Sequence, residues 1–308
     1  MINARLFQGV LPPVFKNVDK EKFNKNDIRF SLRRQFPEST ISTLENDADK
    51  ILQTLNLGNN YYNDAIIILT DLKNFSNLVS AADPNELNKL ISKYYKSSRE
   101  LVFKYGGVLD KFIGDAVLAI FNYPHINEGS YVNALKFCAE QILMGEKLLQ
   151  NFQKKLDQEI ETGTRVGLAT GAIYALNIGK NDIEVTFLGE KMNFAARLEK
   201  NCNLNGILMS NRFYHKLNGI NSVYLDSCEL KEIKIDPKDA KGQNGTTTAW
   251  QVEKSKLESI VNRTDPTVDK FEFASFVNRP ELESILDRKL KLISDKPELI
   301  SVVEKPYS

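Results

Sequence analysis

VLDKFIGDAVLAIF, residues 108–121, holds two short apolar runs on either side of a Gly114-Asp115 turn. Runs of this length, rich in β-branched residues and broken by glycine, predict a β-hairpin whose turn presents a carboxylate. Upstream, DAIIILT (64–70) reads as a buried strand, and it is followed directly by Asp71. A lone aspartate after a strand is ordinarily a turn or cap residue. Two of them at the ends of adjacent strands can share one sheet edge. A third stretch lies downstream: TFLGEKMNFAAR, 186–197. It places Asn193 and Arg197 four residues apart, on one face of an expected helix.

The segments between complete a layered pattern. Asp83-Pro84-Asn85-Glu86 opens a helix, with Asp83 as N-cap and Pro84 in the first turn. Leu87, Leu90, Ile91, Tyr94, Tyr95, Leu101 and Val102 form its apolar face, and Gly106-Gly107 ends it. Residues 130–156 read as a second amphipathic helix. Strands are expected over Arg165–Ala169, Ala172–Ile178, Ile183–Phe187 and Ile207–Met209, with a helix over Met192–Asn201. This order predicts an α+β fold: a ferredoxin-like βαββαβ core with extra strands, helices packed on one face of a mainly antiparallel sheet. Residues 61–253 carry it. Residues 1–60 read as an N-terminal helical extension with a helix over Ser39–Leu57. Residues 254–308 read as a C-terminal helical appendage with a helix over Glu281–Ile293.

Composition narrows the class. A chain of 308 residues with 42% apolar residues can bury a large core, and a net charge of +1 argues for neither nucleic acid nor an anionic membrane as partner. The apolar runs fall far short of the roughly 20 residues that span a bilayer. MINARLFQGVLPP lacks a secretory pattern, and Cys138, Cys202 and Cys228 are too scattered for a disulfide framework or a zinc site. A soluble, cytoplasmic protein is expected. His125 and His215 have no ligand-spaced partners. Tyr94-Tyr95 and Trp250 read as packing residues. The NRPELE stretch at 278–283 reads as the start of a capped helix, and Lys20–Lys25 as a solvated face.

Hard cations prefer carboxylate and phosphate oxygens, so Asp71 and Asp115 on one edge suit a metal–nucleotide. Asp71-Leu-Lys-Asn-Phe75, Lys111-Phe-Ile-Gly-Asp115 and Thr186-Phe-Leu-Gly189 with Asn193-x-x-x-Arg197 resemble, in order and spacing, the catalytic domain of class III nucleotidyl cyclases. The resemblance implies that Asp71, Asp115 and the Leu72 carbonyl bind two Mg²⁺ or Mn²⁺ ions per site. It implies that Lys111 and Thr186 face the nucleobase, that Asn193 orients the ribose and that Arg197 stabilises charge on the α-phosphate. Lys231 or Lys234 could meet the terminal phosphates. The family usually has glycine where this chain has Asn74.

Family members are dimers with shared sites, so a homodimer is expected, with a nucleoside triphosphate as substrate. The Lys111/Thr186 pair looks like that of bacterial adenylate cyclases, which places ATP slightly ahead. Cytosine and uracil can also meet this pair. The chain is also similar to pyrimidine cyclases of bacterial anti-phage systems, which make cyclic UMP or cyclic CMP as messengers of antiviral defence for a downstream effector. Two other readings are a catalytically silent nucleotide-binding homologue and a cyclic dinucleotide synthase. The first is disfavoured because both aspartates, the lysine, the asparagine and the arginine are present. The second is disfavoured because its Gly-Gly-Asp/Glu-Glu-Phe turn is replaced by Ile113-Gly114-Asp115-Ala116.

Overall fold

Strand β1 (Tyr61–Lys73) is hydrogen-bonded along both edges and buried on both faces over Ala65–Ile68, which is why its centre reads as an unbroken apolar run. The structure is a computed structural model that describes residues 30–44, 51, 54–55, 61–179, 183–226, 228–236 and 247–263. In chain order the elements are α1 (Glu38–Thr43), β1, α2 (Phe75–Ala81), α3 (Pro84–Lys104), β2 (Val108–Ile113), β3 (Ala116–Phe121), α4 (Gly129–Gln153) and β4 (Gly163–Asn177). There follow β5 (Val185–Leu188), α5 (Glu190–Asn201), β6 (Ile207–Ser210), α6 (Asn211–Asn221), α7 (Val223–Asp226), β7 (Lys231–Ile235), β8 (Thr247–Val252) and α8 (Leu257–Asn262). They belong to the first of two units, Met1–Asn262 and Arg263–Ser308.

The sheet runs β2-β3-β1-β4-β6-β8-β7, with β5 added to the far end of β4. Its first four strands are the expected βαββαβ core, and only the β4–β6 pair is parallel. The two long helices share one face, as expected. On that side Phe121 of β3 meets Phe137 of α4, with ring centroids 5.3 Å apart. The shorter α5 covers the other face, where Phe194, Ala195 and Leu198 join Ile67, Ile120 and Ala169 in one buried cluster. The N-terminal segment belongs to that cluster too, through Leu32, Phe36, Ile41 and Leu44.

Local signals acted as read at several points. Asp83 Oδ1 accepts from the amides of Asn85 (2.9 Å) and Glu86 (3.2 Å) at the start of α3. At its end Gly106 takes a left-handed φ of 74°, and Gly107 N donates to Val102 O at 2.8 Å.

Two expectations are corrected. The helix expected over Ser39–Leu57 is interrupted: α1 ends at Thr43 with Leu44 in extended conformation, while Ile51 and Thr54 are helical and the Leu55 amide donates to Ile51 O at 2.9 Å. Ser42 and Thr43 hydroxyls donate to the carbonyls of Ser39 and Thr40, competing with helix propagation. The break expected between Ala169 and Ala172 is absent, and β4 is continuous through Thr170-Gly171. Both residues are laddered to β1, whose pairing holds glycine in a strand that would bend if left alone. The helix expected over Glu281–Ile293 lies outside the described residues.

α5 packs closely on Gly167 of β4. A Cβ there would sit 2.0 Å from Ala195 O and 2.3 Å from Glu199 N. Gly167→Val is therefore expected to unseat α5 and lower stability by about 3 kcal/mol or more, read from urea melts. A variant as stable as the parent would show that α5 does not depend on that contact.

Candidate active site

The acidic pair is built by strand pairing. Register between β1 and β3 sets Thr70 opposite Val117, so the residues just beyond, Asp71 and the Gly114-Asp115 turn, fall at one edge. Gly114 carries the positive φ (60°) that the tight turn requires. The Leu72 amide donates to Asp115 Oδ2 at 3.1 Å, tying the two motifs together. The Tyr95 hydroxyl donates to the Gly114 carbonyl, and its ring stacks on Phe112 with centroids 4.3 Å apart, so the turn is braced from α3.

Burial, and then the neighbouring Asp71, push the Asp115 carboxyl up to about 6. Arg165, opposite Asp71 in the β1–β4 register, brings Nη2 to 2.8 Å from Asp71 Oδ2 and 2.7 Å from Glu199 Oε1. Burial raises Glu199 to about 7 against the pull of Arg165.

This donor set fits a hard divalent cation. Two half-buried carboxylates crowd one another, and one holds a raised proton affinity that a cation would relieve. Among the described residues no group of three or more His, Cys, Asp or Glu could hold a metal alone. Any ion here needs further oxygens, such as the Leu72 carbonyl and substrate phosphates. Asn74, where the family has glycine, adopts a left-handed conformation (φ 61°, ψ 22°) that asparagine tolerates well among non-glycine residues. Its side chain donates to Glu161 O at 2.7 Å.

A second cluster holds Lys111 and Thr186. Lys111 Nζ donates to Thr186 Oγ1 at 3.0 Å. A bulge between Leu109 and Lys111 interrupts the β2–β3 ladder at Asp110. The Asp110 side chain is fully buried, with Lys111 Nζ 3.5 Å from Oδ2. Burial pushes Asp110 up to about 6, opposed by Lys111 and Thr186.

Asn193 and Arg197 occupy α5, which follows β5 after Gly189, so Thr186, Asn193 and Arg197 come from one short run of chain. Phe194, Ala195 and Leu198 are buried, Asn193 is exposed and Arg197 is half-buried. Lys231 and Lys234 lie on β7, the last strand of the sheet order on the side away from β2. Lys231 is paired with Glu253 at 3.2 Å, and Lys234 is exposed.

Sequence reasoning missed Arg165, Glu199, Asp110 and Gln35. Arg165 left a legible trace, a guanidinium heading an otherwise apolar strand. The other three owe their place to tertiary packing.

The family model that matches, adenylate and guanylate cyclase catalytic domain, spans residues 58–253. The chain is 29% identical over 135 residues to adenylate cyclase 1 of Rhizobium meliloti, covering 43% of this chain and 20% of that protein. It is 24% identical over 170 residues to the adenylate cyclase of Anabaena cylindrica, covering 55% of this chain and 33% of that protein. The chain thus spans no more than 33% of the length of these curated relatives. Among solved structures, the adenylyl cyclase CyaB from P. aeruginosa is similar with a TM-score of 0.54 at 23% identity, covering 63% of this chain and 96% of that one. The guanylyl cyclase Cya2 gives a TM-score of 0.54 at 21% identity, covering 64% and 94%. At these identities the structural likeness is one of fold.

The raised Asp115 carboxyl sets a pH dependence. In the metal-free chain its ionisation is disfavoured by the fold, so stability from this group is lost as pH rises from the ordinary carboxylate range through about 6. A bound cation reverses that loss, and a proton competes with it below about 6. The thermal shift on adding Mn²⁺ should therefore be larger at pH 7.5 than at pH 5, and Asp71→Asn should shrink it. A pH-independent shift would remove Asp115 as a ligand.

Proposed function

Because the chain belongs to the adenylate and guanylate cyclase catalytic domain family, which are phosphorus–oxygen lyases, we propose that it converts a nucleoside triphosphate, ATP foremost, into a 3′,5′-cyclic nucleotide and pyrophosphate. The observation that carries this reading is the coexistence of two built clusters. Asp71 and Asp115 are tied through the Leu72 amide, and Lys111 is held against Thr186.

Asp71, Asp115 and the Leu72 carbonyl would hold two Mg²⁺ or Mn²⁺ ions, which supply Lewis-acid activation of the ribose 3′-hydroxyl and neutralise phosphate charge. Arg165 adds a fixed guanidinium beside Asp71 at the same edge. Lys111 donates to a ring acceptor of the base, while Thr186 accepts from an amino or imino N–H. Asn193 orients the sugar so that attack at the α-phosphorus is in line and intramolecular. Arg197 offers its planar fork to the oxygens on which charge builds.

A homodimer with two equivalent sites follows from one chain carrying both sets: aspartates from one protomer, the Lys111/Thr186 and Asn193/Arg197 sets from its partner. Among the described residues no helix is long and apolar enough to cross a membrane.

Purified protein with Mn²⁺ and each of the four nucleoside triphosphates, with products resolved by mass, tests the reaction. Cyclic AMP as the main product is expected. Dominant cyclic UMP or cyclic CMP would assign the chain to the pyrimidine reading. No pyrophosphate from any nucleotide would leave the silent homologue. Asp71→Ala and Arg197→Ala proteins should each lose nearly all activity and should recover part of it on mixing; confirmed mixed dimers without recovery would end the shared-site reading. Arg197→Ala should lower kcat about 100-fold with little change in KM, because its charge partner forms in the transition state.

A further inference from the structure

Gln35 sits 75 residues before Asp110 and 150 before Val185, yet it joins the strands that carry both. Its side-chain amide makes a two-way bridge to Val185: Nε2 donates to Val185 O at 2.6 Å, and Oε1 accepts from Val185 N at 2.9 Å. The same Nε2 lies 3.4 Å from Asp110 O, and the Gln35 carbonyl accepts from Leu109 N at 2.8 Å. One buried residue thus satisfies two backbone groups on β2 and two on β5. These strands are not ladder partners: β2 pairs with β3, and β5 with β4. Gln35 stands where a ladder would.

The bridged groups are immediate neighbours of the Lys111/Thr186 pair. Lys111 follows Asp110 and Thr186 follows Val185, and the two side chains meet at 3.0 Å. A shift of about 1 Å between the strands would break that contact. Gln35 itself is anchored, since Leu32 and Phe36 on either side are 0% and 1% exposed. The same segment walls a cavity of about 200 Å³ that opens beside Lys111, lined by Arg34, Gln35, Arg99, Asp110 and Phe112 among others.

We propose that Gln35 is a positioning residue for nucleobase selection: it sets the gap between Lys111 and Thr186 and so couples the N-terminal segment to which base is accepted. This rests on the reading of Lys111 and Thr186 as the base-facing pair. A merely structural glutamine would, when replaced, lower activity on every nucleotide alike. A positioning one would change the ratio between bases.

The test uses the full chain carrying Gln35→Met, which keeps length and loses all side-chain hydrogen bonds. Specificity constants for ATP, GTP, CTP and UTP are compared with the parent. The ratio of best to second-best base should fall about tenfold, through KM, with kcat on the best base changed less. In a Lys111→Met background, Gln35→Met should move the ratio no further. Should Gln35→Met fail to fold by circular dichroism, Gln35→Asn carries the test, since it stays neutral and keeps the amide but is one methylene too short to bridge both strands. A ratio within about twofold of the parent, or equal loss on all four nucleotides, overturns the proposal. If Lys111→Met leaves the ratio untouched, the base-facing assignment fails and this proposal with it. If Lys111→Met collapses the ratio and Gln35→Met does not, only the role of Gln35 fails.

Discussion

Two carboxylates held at one sheet edge against their mutual repulsion are the constraint around which this domain is arranged. Asp71 and Asp115 belong to different strands of a rigid ladder, and the Leu72 amide fixes one relative to the other. Burial and proximity lift Asp115 to about 6, a cost that folding alone would not retain without return. The surrounding structure reads as support for that cost. Arg165 offsets the charge of Asp71, Tyr95 pins the turn from above, and the Tyr94 hydroxyl lies 3.4 Å from Thr70 Oγ1, one residue before Asp71.

Strand β4 carries the second half of the arrangement. It contributes Arg165 to the acidic edge, accepts α5 against the bare backbone of Gly167 and takes β5 onto its far end. The same strand therefore seats Thr186, Asn193 and Arg197 and reaches the acidic edge. A side chain at Gly167 would push α5 outward, and the Asn193/Arg197 face would move with it. Fold and site are coupled here through a single missing Cβ.

Much of this was legible in the sequence because the signals were local. Asp83-Pro84 caps α3, Gly106-Gly107 ends it, and Gly114 turns the hairpin, each through backbone chemistry that a few neighbouring residues dictate. Resemblance pairs Lys111 and Thr186 as nucleobase-facing residues, and their side chains lie 3.0 Å apart. What escaped was set by distant partners. Local signals suggested a strand break at Thr170-Gly171 and a long helix after Ser39. Ladder pairing to β1 carried β4 through the first, and hydroxyl competition interrupted the second after Thr43. Arg165, Glu199 and Gln35 could not be found by periodicity, since a polar residue inside an apolar cluster has meaning only once its partner is known.

The N-terminal segment shows most clearly why partner-dependent residues matter. Its described residues, 30–44, 51 and 54–55, contribute Leu32, Phe36, Ile41, Leu44, Ile51 and Leu55 to the same buried cluster as α5, so its position is fixed by burial. A glutamine held that firmly has no freedom to follow β2 and β5; those strands must follow it. With Lys111 and Thr186 read as the base-facing pair, the distance between donor and acceptor is then decided outside the motif that supplies them. Selectivity in such a site is a property of the frame as well as of the pair. Two chains with identical base-facing residues and different N-terminal segments need not prefer the same nucleotide.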